Sequence, residues 1–230
     1  MANGLLEIGE ILLATSQRRL DAVSRNVANA TTSGFKASSS FETALTLQNA
    51  APPVQTHTQF AQGALRATGR HLDLAIDGAG FFRLRDESGV YFARGGAFQL
   101  DPQGRVVDAS GRALQSADGR DIVLTSSDVS ISASGAVVEN GAAIAQIGVF
   151  DADEDAIASL GGAYFQIEEA ETRVAPQFSI RQGMLEASNV DLATQMMAMM
   201  AAIRSAEAGA RVVQTYDGLI GQAITTFQRS

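Results

Sequence analysis

The chain has 230 residues, 46% apolar and 6% aromatic, with 22 glycines and no tryptophan, which allows a packed core but a light, Ala- and Gly-rich one. Its formal charge of −8 argues against nucleic acid as a partner, because phosphate binding requires basic patches. Lack of cysteine excludes disulfides, cysteine metal sites and thiol nucleophiles.

The opening, MANGLLEIGEILLATSQRRL, has no basic n-region, and Glu7 and Glu10 interrupt its apolar stretch, so it does not read as a secretory signal. No run approaches the roughly 20 apolar residues of a membrane-spanning helix, so no membrane span is expected. The chain is therefore expected to stay in the cytosol or to leave by a route without a cleaved signal. Leu6, Leu13, Leu20 and Val27 recur every seven residues, and Gly9, Ser16, Val23 and Ala30 follow three later. That pattern predicts an amphipathic helix with one large-residue edge and one small-residue edge, starting near Asn3 and stopped by Gly34.

Residues 35–70 are rich in Ser, Thr, Gln and Ala, contain Pro52-Pro53 and lack periodicity, which predicts an extended linker. From 71 to 182, strand-like runs such as LDLAID, GFFRLRD and VYFARG alternate with turn signals including Asp101-Pro102-Gln103-Gly104 and Asn140-Gly141. Short strands at roughly 8–12-residue spacing predict an antiparallel β-domain.

The C-terminal zone, 183–230, repeats apolar residues in steps of four and three: Leu192, Met196, Met199, Ile203, Ala206, Ala210, Val213, Ile220, Ile224 and Phe227, broken only by Asp217. Ser188 followed by Asp191 matches a capping-box start. The expected fold is thus α+β and discontinuous. Residues 1–34 and 183–230 form long helices that pair as a coiled-coil-like stalk, and an all-β antiparallel domain is inserted between them.

Candidate chemistry is sparse. Asp151, Asp153 and Asp155 begin like a calcium loop, but the sixth position is Ala156 and the twelfth Gly162, so a solvated acidic loop is the simpler reading. Gly78 and Gly80 begin a dinucleotide-type pattern whose third glycine is replaced by Arg83, which points instead to a tight turn between strands. His57 and His71 have no nucleophile or further ligands beside them. The Met196, Met197, Met199, Met200 cluster, without Cys or His alongside, reads as adaptable packing rather than a soft-metal site. No enzyme activity, cofactor or metal is expected.

Four motifs carry a resemblance. The first is Asn26, Ala28, Asn29, Thr32, Gly34, Phe35 and Lys36; the second is QGALRATGRHLDLAIDGAGFF, including Gln62, Gly63, Gly78, Gly80, Phe81 and Phe82. The third is Arg94, Gly96, Phe98, Asp101 and Gly104. The fourth is Gln182, Gly183, Leu185, Glu186, Ser188, Asn189 and Val190, followed by Arg204 and Glu207. In this order they resemble the bacterial flagellar rod and hook axial proteins of the FlgF/FlgG type, and the lead-in Arg18-Arg19-Leu20-Asp21 is more similar to the proximal-rod FlgF member. Gln195, Ala206 and Gly95 depart from the family's usual Glu, aromatic and Asp.

The resemblance implies a non-enzymatic subunit of the periplasmic basal-body rod, exported by the flagellar type III apparatus and assembling with copies of itself and other rod proteins. Its terminal helices would line the export channel and transmit torque. The expected subunit interface comprises Leu6, Leu13, Leu20, Val23, Asn26, Val27, Asn29, Leu192, Met196, Met199, Ile203, Ala210, Val213, Ile220, Ile224 and Phe227. Asn26 and Asn29 are expected to add polar direction to that apolar seam. A distal-rod or hook axial subunit is the alternative. A stalked cell-surface binding module is disfavoured by the absence of Trp and the three Tyr, and a glycan hydrolase would need a paired-carboxylate cleft.

Overall fold

The structure is a computed structural model that describes residues 2–41, 55–126 and 128–227. Side chains at 2–8, 40–41, 55–56, 169, 220 and 222–227 are not part of that description, so the expectations at Leu6, Ile220, Ile224 and Phe227 lie outside it. Two α-helices are described, α1 (Ala2–Ala28) and α2 (Leu192–Phe227). Between them run β1 (Ser38–Phe41), β2 (Gln55–Thr58), β3 (Leu65–Ala67), β4 (Leu74–Gly78), β5 (Phe81–Asp86), β6 (Gly89–Ala93), β7 (Gln99–Leu100), β8 (Val106–Val107) and β9 (Ala113–Leu114). They are followed by β10 (Ser130–Ile131), β11 (Ala136–Glu139), β12 (Ala142–Gln146), β13 (Val149–Asp151), β14 (Ile157–Gly161), β15 (Tyr164–Ile167), β16 (Arg173–Val174), β17 (Phe178–Gln182) and β18 (Met184–Glu186). The described residues of segment 35–70, expected to be an extended linker, include three strands.

The chain forms two compact units: Met1–Ala28 with Ala37–Gln59 and Val190–Ser230, and Asn29–Lys36 with Phe60–Asn189. The first unit holds both helices and the antiparallel β1–β2 pair, in which Ser38 faces Thr58. Its helices approach at two glycines. A Cβ built on Gly9 would sit 2.8 Å from Val213 Cγ2, and one on Gly209 3.2 Å from both Leu12 Cβ and Leu13 Cγ. Gly9, Ser16 and Val23, the small edge of α1, are buried, as are Ala202 and Gly209 on α2. Helix α2 starts later than the capping-box pattern indicates. Asp191 caps it, accepting from Ala193 N at 3.1 Å and Thr194 Oγ1 at 2.6 Å.

These findings correct the expected fold class. The described residues form two helices and five separate antiparallel sheets, one of nine strands, one of three and three of two, and no coiled-coil stalk of the two chain ends is present. A coiled coil buries its large a and d residues. Here Leu192, Met196 and Ile203 are 47%, 47% and 43% exposed, and the helices meet where Gly9 faces Val213 and Gly209 faces Leu12 and Leu13.

The second unit is built on the nine-stranded sheet, whose path runs β14-β15-β6-β5-β9-β8-β7, with β13 also pairing β5 and β16. Strand β5 explains why this unit has two apolar layers. Successive strand residues point to opposite faces. Phe82 joins a core with Leu74, Ile76, Leu84 and Phe98, whereas Phe81 joins Phe92, Phe150 and Phe165. Phe82 meets Phe98 edge-on at 5.7 Å between ring centroids, and Phe81 meets Phe60 edge-on at 5.9 Å. Strand β4 pairs β17, and β3 pairs β18, which brings residues 65–78 beside 178–186.

Candidate functional site

The second unit contains a buried ionic clamp. Lys36 is the chain's only lysine, and its side chain is 1% exposed. Its ammonium donates to Glu186 Oε1 at 2.6 Å and to the Ala61 carbonyl at 2.8 Å. Glu186, wholly buried at the end of β18, also accepts from Arg94 Nε at 3.0 Å and from Gly63 N at 2.9 Å. The rest of the Arg94 guanidinium donates to Gly80 O at 2.6 Å and Gly78 O at 2.8 Å. Every buried polar atom needs a partner. One carboxylate thus fixes four chain segments at once.

The local backbone is shaped for this. Gly78 and Gly80 have φ of +115° and +105°, a region that side-chain-bearing residues rarely adopt, and their carbonyls turn toward Arg94. Gly34, at φ +72°, donates its N–H to Glu186 O at 2.8 Å. A Cβ there would sit 2.1 Å from Gly95 N. Burial holds the Lys36 pKa below its ordinary value; the hydrogen bond and charge of Glu186 oppose this, and Arg94 adds to the lowering. Beside the clamp lies a cavity of about 570 Å³ whose walls include Lys36, Arg94, Phe60, Phe81 and Arg173.

The acidic run beside this cavity is not arranged as a metal loop. Arg173 lies 2.9 Å from Asp153 Oδ1 and 3.7 Å from Asp151 Oδ2. Among the described residues no group of three or more potential ligands could hold a metal ion.

In the first unit a second polar centre forms around Asn26, which is 2% exposed. Its Nδ2 donates to Ser38 O at 2.7 Å and Gln195 Oε1 at 3.0 Å, and its Oδ1 accepts from Ser38 N at 2.9 Å. One amide thereby joins α1, β1 and α2. Along α2, Leu192, Met196, Met200 and Ile203 recur at steps of four, four and three and are 43–54% exposed. They form an apolar stripe on one helix face.

Two family models match the chain: the flagellar hook protein FlgE/F/G D1 domain over residues 75–139 and the flagellar basal body rod FlgEFG protein C-terminal region over residues 181–226. The chain is 29% identical to the flagellar basal-body rod protein FlgF of Caulobacter vibrioides, over 95% of this chain and 96% of that protein. It is 27% identical to FlgF of Rhizobium meliloti, over 91% and 92%, and 26% identical to the rod protein FlgG of Bacillus subtilis, over 90% and 93%. These matches support a FlgF/FlgG-type flagellar rod protein.

Within this chain, the motif residues converge on internal backbone groups. Gln62 Nε2 donates to Ile76 O at 2.8 Å, and Gln182 Nε2 donates to Val129 O at 2.7 Å and His71 O at 3.0 Å. Gly183 O accepts from Thr68 N at 2.8 Å. Asn189 Nδ2 donates to Ala61 O at 3.0 Å, the same carbonyl that Lys36 uses. Thr32 Oγ1 donates to Asn29 Oδ1 at 3.2 Å, and Phe35 is buried. Leu185 sits in β18 opposite Arg66, and Ser188 lies between that strand and α2.

The residues expected at a subunit seam divide. Leu192, Met196 and Ile203 are exposed, whereas Leu13, Leu20, Val27, Met199, Ala210 and Val213 are half-buried and Val23 is buried. Asn26 spends its amide inside its own unit, and Asn29 follows the end of α1, accepting from Thr32 N at 3.0 Å in a turn. Gly34, expected to stop α1, lies six residues beyond its end at Ala28. Sequence reasoning placed Arg94 and Glu186 only within motifs and missed their pairing. The signal available was the single lysine in a chain whose other basic side chains are all arginine or histidine.

Proposed function

We propose that this chain is a structural subunit of the bacterial flagellar basal-body rod, of the FlgF type, held in the rod partly through the exposed stripe of α2. Rod proteins match it over nearly their whole length. The carrying observation is the stripe itself: four large apolar side chains in register on one helix, 43–54% exposed. An apolar surface of this kind gains by burial against another protein, at roughly 25 cal/mol per Å².

Its partners are copies of the same chain and other rod proteins, and its place is the rod in the periplasm. Non-closing contacts between different faces of successive subunits build a helical shaft that carries torque. The family resemblance supports export by the flagellar type III apparatus. No helix among the described residues is long and apolar enough to cross a membrane. A clamp whose charged groups are all bonded to one another or to internal backbone is suited to fixing a shape, and a structural role without catalysis fits it.

The test is Ile203→Asp expressed in a strain lacking the chain. The expected result is loss of motility and of the subunit from purified basal bodies, while circular dichroism of the purified variant keeps the wild-type β signal. Normal swimming would remove the stripe from the interface. FlgG of Bacillus subtilis is nearly as similar as the FlgF proteins, which keeps a distal-rod position as the second reading. Complementation of separate FlgF-type and FlgG-type deletion strains distinguishes the two.

A further inference from the structure

Three of the six methionines lie on the exposed side of α2: Met196, Met197 and Met200 are 47%, 60% and 54% exposed. Met199 in the same run and Met184 in β18 are half-buried. Met196 and Met200 belong to the apolar stripe with Leu192 and Ile203, and Met197 flanks it. Their thioethers differ from the neighbouring leucine and isoleucine in one chemical respect: they are readily oxidised.

We propose that Met196, Met197 and Met200 form a peroxide-sensitive patch that sets whether a free subunit is competent to assemble. This rests on the rod-subunit reading of the same stripe. In the reaction a sulfur lone pair attacks one peroxide oxygen and an S–O bond forms as the O–O bond breaks. The departing oxygen leaves as water after taking up the proton that the transferred oxygen loses. Sulfur loses two electrons and the peroxide gains them, so no further reductant or oxidant is required.

The consequence follows from solvation. A sulfoxide oxygen is a strong hydrogen-bond acceptor, and the side chains beside it on the stripe, Leu192 and Ile203, offer no donor. Burying it against an apolar partner leaves it unsatisfied, which disfavours the contact. In the assembled rod the same contact covers the sulfurs and slows their oxidation. The patch therefore acts on subunits before incorporation and is shielded afterwards. Methionine sulfoxide reductases reverse the modification, so competence is recoverable.

The experiment has two arms. Purified full-length chain and isolated basal bodies are treated with hydrogen peroxide, and sulfoxides are mapped by mass as additions of about 16 Da. Met196, Met197 and Met200 are expected to oxidise about tenfold more slowly in basal bodies than in the free chain, as burial of the thioether requires. In the second arm, the triple variant Met196→Gln, Met197→Gln, Met200→Gln, which imitates the polar oxidised state, is compared with the matching triple leucine variant in a strain lacking the chain. Incorporation of the glutamine variant is expected to be about tenfold below that of the leucine variant. Equal oxidation in free and assembled chain, or equal incorporation of the two triple variants, overturns the proposal. Ile203→Asp separates the two levels. If it incorporates normally, the rod interface reading fails; if it is excluded while the triple variants behave alike, only the oxidation proposal fails.

Discussion

Glu186 Oε1 accepts the Lys36 ammonium at 2.6 Å, with the two side chains 0% and 1% exposed. Arg94 meets the other carboxylate oxygen at 3.0 Å, so two buried cations share one anion. The imbalance ranks the members of the clamp. Removing the lysine leaves a neutral pair, and removing the carboxylate leaves two buried cations together.

Glu186→Gln is therefore expected to be the most damaging change, costing about 3–5 kcal/mol, as for other buried pairs deprived of one partner. Arg94→Met should rank next, because it also strands the carbonyls of Gly78 and Gly80. Lys36→Met should be mildest. Urea denaturation of the three variants checks the order, and an equal or reversed ranking would show that Glu186 is not the hub.

Gly34 and Gly63 approach backbone where no side chain fits. A Cβ on Gly63 would lie 2.0 Å from Ala187 O, and one on Gly34 2.1 Å from Gly95 N at a φ of +72°. Backbone cannot retreat as a flexible side chain can. Gly34→Ala and Gly63→Ala are each expected to destabilise the second unit by more than about 1–3 kcal/mol, the ordinary scale of local strain. Gly111→Ala serves as a control with positive φ but open space around it, and should cost less. The comparison is read from thermal midpoints.

Stability should respond to pH at both ends of the scale. Burial lowers the folded pKa of Lys36 below its unfolded value near 10.5, against the pull of Glu186. Between those two values the unfolded chain holds a proton that the folded chain does not. The lysine's contribution to stability consequently rises with pH through that window, and Lys36→Met should flatten the rise. On the acid side the Thr194 hydroxyl and then Ala193 N hold Asp191 below the usual carboxylate range, and hydrogen bonding from Thr125 does the same for Glu139. Their contribution is complete above the unfolded values, about 4, and is lost as pH falls through the depressed ones. Asp191→Asn should weaken the acid slope measured on the helix signal by circular dichroism.

Local patterns in the sequence were legible where their cause was local. Gly78 and Gly80 read as a turn between strands; Gly78 ends β4 and Gly80 immediately precedes β5, both with positive φ. The Phe81-Phe82 pair read as strand, and β5 sends the two rings to opposite layers. The start of α2 was misplaced because Ser188 and Asp191 both carry capping chemistry, and only the backbone path selects Asp191. The heptads of α1 and α2 gave the helices but not their contact, since the same period repeats both the large and the small edge. The contact uses both: Gly9 of the small edge meets Val213, and Leu13 of the large edge meets Gly209. The Lys36–Glu186 pair spans 150 residues, and periodicity carries no information over that distance.

Asn26 provides the most direct test of the first unit. Its amide answers Ser38 N, Ser38 O and Gln195 Oε1, all within the unit. Asn26→Ala would leave those three groups without this partner, each buried unsatisfied group costing about 1–3 kcal/mol where water does not replace the bond. Asn26→Asp keeps the shape and the acceptor for Ser38 N but places a carboxylate oxygen against two other acceptors. Repulsion makes this variant less stable than Asn26→Ala at neutral pH. Protonation supplies one donor and relieves it, so its stability relative to Asn26→Ala should improve as pH falls. Denaturant titrations of both variants at neutral and mildly acidic pH measure that crossing. If Asn26→Asp remained as stable as the wild type at neutral pH, the amide would be facing a donor rather than Ser38 O and Gln195 Oε1, and the polar centre described around it would be wrong.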